Sequence, residues 1–112
     1  MKRRPVLCEK FVRVLLKLNC YLDMEMSEDG EIWTLNPAPE ALEQKIGTCM
    51  NDGPAKAMLY VFLKSEMTLM VIDRDSTYMT LYNPSETLLE LVSQFVVPEG
   101  LYVWKPQERR EN

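Results

Sequence analysis

The apolar positions of this chain fall into stretches of two different periods, and the order of those stretches predicts its architecture. Between residues 6 and 20, Leu7, Phe11, Val14, Leu15 and Leu18 recur at three- and four-residue spacing, and Leu22 continues the series. One side of a helix is therefore apolar, and Lys10, Arg13 and Lys17 share the other. Pro5 suits the first helical turn. Tyr21–Met26 and Glu31–Leu35 then alternate with the period of strands. Between them Ser27-Glu28-Asp29-Gly30 is turn chemistry, with Gly30 supplying a positive φ. A four-residue loop pairs Met24 with Trp33 and Leu22 with Leu35 on one apolar face. It turns Asp23 and Glu25 outward beside Ile32 and Thr34.

Asn36-Pro37-Ala38-Pro39 breaks the pattern, and a short helix over Glu40–Ile46 follows, with Leu42 and Ile46 inward and Gly47 as its stop. After the turn Asn51-Asp52-Gly53-Pro54, three apolar runs of strand length follow: Ala57–Leu63, Met67–Ile72 and Thr77–Tyr82. The short polar turns between them predict an antiparallel meander. Asn83-Pro84-Ser85-Glu86 has the spacing of a capping box with Asn83 as cap. It opens a helix whose stripe is Leu88, Leu91, Val92, Phe95 and Val96. Pro98-Glu99-Gly100 ends that helix, and Leu101–Trp104 reads as a last strand. The expectation is one α+β domain over residues 1–105, with a mainly antiparallel sheet of five or six strands. Two main helices lie on one face, and 106–112 form a polar tail.

Composition narrows the function classes. At 46% hydrophobic and 27% charged, the 112-residue chain can bury a core. It contains no histidine, so neither Ser-His-Asp nor Cys-His catalysis can be assembled, and a zinc site lacks its usual ligands. The three cysteines, Cys8, Cys20 and Cys49, form no C-x-x-C pair and no disulfide framework, which fits reduced thiols in a cytoplasmic protein. With four scattered glycines there is no phosphate loop. The expectation is a non-enzyme with no cofactor and no metal.

Charge is unevenly distributed. Residues 1–17 hold six basic groups and one acid, while 18–112 hold seven basic groups and sixteen acids. An acidic body speaks against direct nucleic-acid binding. No apolar run reaches the length of a membrane span, and no secretory signal is evident, so membrane contact is not expected.

Two motifs carry candidate chemistry. Val71-Ile72-Asp73-Arg74-Asp75-Ser76-Thr77, an apolar strand followed by D-x-D-x-T, resembles the first motif of the haloacid-dehalogenase phosphotransferases. The resemblance implies a nucleophilic Asp73 and a proton-handling Asp75 beside magnesium. The chain around it instead continues directly into a β-strand and supplies no later acidic pair, so the residues read as a hairpin turn. Asn51-Asp52-Gly53 is too short for a calcium loop.

The remaining signals concern surfaces. Eight methionines, six of them in expected strands, suit irregular cores and adaptable interfaces alike. Met67–Ile72 is apolar on both sides, which leaves one side for a partner or a second copy of the chain. Tyr78, Tyr82, Tyr102 and Trp104 fall in strands read as neighbours and are anchor types for protein interfaces. Asp23, Glu25, Glu28, Asp29 and Glu31 crowd the first hairpin. The functional expectation is a non-catalytic protein-binding module. It is an inhibitor or toxin-neutralising, immunity-type protein that occludes a basic toxin or enzyme through this acidic face. The alternative is an adaptor, secretion-chaperone-like or scaffold subunit that uses its Met- and aromatic-rich strands as a homodimer.

Overall fold

In the computed structural model, residues 6–52, 57–73 and 79–103 are described. Helix α1 spans Val6–Tyr21, followed by strands β1 (Glu25–Ser27) and β2 (Thr34–Leu35). Helix α2 (Pro39–Gly47) runs on into a π-helical turn over Thr48–Asp52. Strands β3 (Met58–Leu63), β4 (Thr68–Asp73) and β5 (Met79–Tyr82) form the meander, and helix α3 (Glu86–Val96) closes the order with a 3₁₀ turn, Val97–Glu99. The five strands make one antiparallel sheet in the order β2-β1-β3-β4-β5. The α+β expectation holds, with five strands among the described residues.

The helices cover one face of this sheet. Phe11, Val14, Leu15 and Leu18 of α1, Leu42 and Ile46 of α2, and Leu88, Val92 and Val96 of α3 are buried. They pack in one cluster with Met24, Met26, Leu59, Val61, Leu63, Met70 and Ile72. The stripes predicted from 3.6-residue periodicity are thus the faces that dock. Each fully buried Leu or Ile contributes about 1.5–3 kcal/mol of transfer free energy. This cluster therefore holds the two layers together. Tyr21 adds a ring contact to Phe95, 5.5 Å between centroids, which joins the ends of α1 and α3.

The first hairpin departs from its expected register. Glu25 pairs with Leu35 and Met26 with Thr34, and Asn36 extends this register. Its N–H donates to the Met24 carbonyl at 2.6 Å, and its Oδ1 accepts from the Met24 N–H at 2.8 Å. The loop is longer than four residues. Against the expected pairing of Met24 with Trp33, the partner of each residue is displaced by an odd number of positions, which exchanges faces. Met24 and Met26 go inward, Trp33 and Leu35 are exposed, and Glu25 shares its face with Leu35. Tyr21 belongs to α1, and the Leu22 N–H still bonds back to the Leu18 carbonyl at 2.8 Å.

Three further boundaries differ. Gly47 does not stop its helix, which continues into the π turn. The cap of α3 is Ser85, whose Oγ accepts from the Leu88 N–H at 3.1 Å; Asn83 instead takes a left-handed φ of 64° at the end of β5. Asn83 supports the turn from there, its carbonyl accepting from the buried Thr68 hydroxyl at 3.1 Å. Residues 101–103 form no strand. The Leu101 N–H bonds to the Val96 carbonyl, so this segment folds back on the end of α3.

Candidate functional site

The acidic hairpin is organised by one buried hydroxyl and one carboxylate. Ser27 is fully buried, and its Oγ accepts from the N–H groups of Gly30 (2.7 Å) and Asp29 (3.3 Å). The same hydroxyl donates to Asp29 Oδ1 at 3.0 Å. That oxygen also accepts from the N–H groups of Glu31 (2.8 Å) and Ile32 (3.0 Å). Hydrogen bonds from the Ile32 and Glu31 backbone and from Ser27 hold the Asp29 carboxyl below its ordinary pKa, because each favours the charged form. Gly30 sits at φ +79°, a backbone that L side chains rarely adopt, and lies against the Tyr60 ring.

This knotted loop lifts apolar side chains into solvent: Ile32 is 75% exposed, Leu35 63% and Trp33 37%. Carboxylates stand on the same hairpin. Asp23 accepts from Asn36 Nδ2 at 3.1 Å, Glu28 pairs with Lys45 of α2 at 3.0 Å, and Glu31 is exposed. Glu25 is half-buried on the sheet face that the helices leave open. Of the five expected acidic residues, Asp29 is thus engaged within the loop and Glu28 in an ion pair. Glu25, Glu31 and Asp23 carry the outward charge.

Of the expected aromatic cluster, Tyr82 and Tyr102 are described, and they belong to different segments. Tyr82 is 55% exposed on the open sheet face at the end of β5. Tyr102 is 78% exposed beyond α3, in the segment folded back on the helical layer, and belongs to no strand. Tyr78 and Trp104 lie outside the described residues. Sequence reasoning assigned Trp33 and Leu35 to the core and named none of Tyr60, Phe62 or Leu69 as surface. The one signal for them was the apolar character of both sides of the middle strands.

The other motifs find less. Asp73 ends β4, paired across from Met58, while Asp75 and Thr77 lie outside the described residues. Cys8 and Cys49 are buried and Cys20 is exposed; the Cys49 thiol points at the Ile72 carbonyl at 3.6 Å. Among the described residues no cluster of three or more His, Cys, Asp or Glu side chains has metal-site geometry, and no helix is long and apolar enough to cross a membrane. An open depression on the outer side of α3 is lined by Glu90, Ser93, Gln94, Val97 and Pro98, with Glu90 as its one ionisable group. On the basic side of α1, the Arg13 guanidinium donates to Glu99 at 2.8 Å. That bond, with Lys17 and Lys10 nearby, keeps the Glu99 carboxyl below its ordinary range.

No protein-family model, curated protein or solved structure matches the chain.

Proposed function

We propose that this protein is a non-catalytic protein-binding module of inhibitor or immunity type, which acts by occluding a basic surface on a toxin or enzyme. The observation that carries the reading is the Ser27–Asp29 knot. Its part-buried and exposed hydrogen bonds fix the turn that carries Ile32, Trp33 and Leu35 on a hairpin with Glu25, Glu31 and Asp23. Exposed apolar side chains cost solubility, and a loop fixed before encounter loses less entropy on binding. An apolar centre with an acidic rim suits a partner with Lys and Arg around an apolar patch, because the rim steers and orients the approach.

The test is affinity capture from the native host with the full chain as bait. The expected result is one basic protein held in stoichiometric amount, lost with Glu25→Lys combined with Glu31→Lys and weakened by high salt. Capture that is indifferent to both changes defeats the reading. So does a turnover that disappears with Asp73→Asn, which would restore the phosphotransferase alternative.

A further inference from the structure

The strand register lays one unbroken row of side chains across all five strands on the face turned away from the helices. Leu35 stands beside Glu25, Glu25 beside Phe62, Phe62 beside Leu69, and Leu69 beside Tyr82. At about 4.8 Å per strand the row is roughly 19 Å wide. A second row, Ser27–Tyr60–Val71–Thr80, runs parallel to it, with Ser27 and Val71 buried. Tyr60 is held along its strand by a contact from its hydroxyl to Met58 Sδ at 3.5 Å, and Gly30 of the hairpin loop stands against its ring. The loop therefore forms a wall at one end of an apolar, aromatic floor. Leu35 belongs to both, so floor and hairpin are one continuous surface.

The charges on this floor select its occupant. Its strand positions include the acids Glu25 and Asp73 and no Lys or Arg among the described residues. Lys10, Arg13, Lys17 and Lys45 stand on α1 and α2. A second copy stacked face to face would bury the carboxylates of Glu25 and Glu31 against strand positions that offer no Lys or Arg among the described residues, and an unmatched charge in a desolvated contact is costly. A different protein with bases at its rim meets no such penalty.

We propose that this open sheet face is the floor of the docking surface, and that it receives an apolar or aromatic knob set among Lys and Arg on the partner. This rests on the protein-binding reading above. It adds that the strands, and not the hairpin alone, make the contact. The probes are two matched sets of synthetic peptides of about twelve residues. One set combines Trp, Phe or Leu with Arg and Lys, and the other replaces each base with Glu. Each is titrated into the isotope-labelled full chain and followed by amide chemical shifts.

Binding by the basic set alone is expected, with shifts at Phe62, Leu69 and Tyr82. Tyr82→Ala and Thr80→Lys should each weaken it roughly tenfold, as loss of an anchor or of charge fit does. Both positions lie on the edge strand, and the spectrum of each variant shows whether it remains folded. The proposal is overturned by no binding, by equal binding of both sets, by shifts confined to the helices, or by sheet-mediated self-association in sedimentation. Shifts confined to residues 28–33, abolished by Trp33→Ala and untouched by Tyr82→Ala, overturn it while leaving the hairpin reading intact. Binding lost with Tyr82→Ala but indifferent to Trp33→Ala and Glu31→Lys supports the floor and removes the hairpin.

Discussion

The two faces of the sheet are built from the same strands and are almost equally apolar, yet they meet different surroundings. On the covered face, Leu59, Val61, Leu63, Met70 and Ile72 lie against three helices and are fully buried. On the open face, Phe62, Leu69 and Tyr60 alternate with them and remain half-buried, and the hairpin loop lies against Tyr60. Alternation along a strand guarantees two faces, but hydrophobicity alone does not say which one the protein covers itself. On the reading we propose, the difference separates stability from recognition. Burying the first face folds the chain, and the second retains transfer free energy that a partner can claim.

The largest expected effect breaks the comparison directly. Leu59→Ala removes a fully buried side chain and should cost about 2–5 kcal/mol, whereas Leu69→Ala on the open face should cost about 1 kcal/mol. Equal losses in chemical denaturation would mean that the open face is as much core as the other. Next, Ser85→Ala deletes the cap of α3 and should cost about 1 kcal/mol, with Asn83→Ala not reproducing a cap effect. Helical order in the covered layer, read by circular dichroism melting, checks it.

A smaller effect concerns the hairpin and acid. The Asp29 pKa is depressed, so its contribution is complete above the unfolded value of about 3.9 and is lost as pH falls through the lower folded value. Asp29→Asn should flatten this part of the acid limb, and the protection factors of the Glu31 and Ile32 amides, corrected for intrinsic exchange, should then no longer fall with acidification. The smallest effect is expected at the Arg13–Glu99 pair, which sits at the surface of the helical layer. Glu99→Gln should leave the denaturation midpoint at neutral pH within measurement error, since exposed ion pairs add little. A clear drop would show that the fold-back after α3 depends on this tie.

Much of this arrangement was legible in the chain. The helix stripes of Leu7–Leu18 and Leu88–Val96 and the three apolar runs between residues 57 and 82 determined element types, their order and the α+β class, because each rests on local periodicity repeated over many residues. The acidic character of the first hairpin was equally plain. The misassignments came where one residue decides. Ser85 took the cap from Asn83 because helix geometry lets an Oγ reach the N–H three residues on. Ser27 and Asp29 lengthened the turn by taking up its backbone N–H groups.

That longer turn had the widest consequence. Turn length sets hairpin register, and an odd change of register exchanges the two faces of a strand. The sequence by itself therefore determined that Trp33, Leu35 and Glu25 lie on a hairpin strand or beside it, and that the middle strands are apolar on both sides. Only the tertiary structure decided that Leu35 turns away from the helices, to stand with Glu25, Phe62, Leu69 and Tyr82 on one open face, and that Trp33 is exposed. The reason is physical: periodicity is a property of neighbours along the chain, whereas a face is defined by pairing between strands distant in sequence.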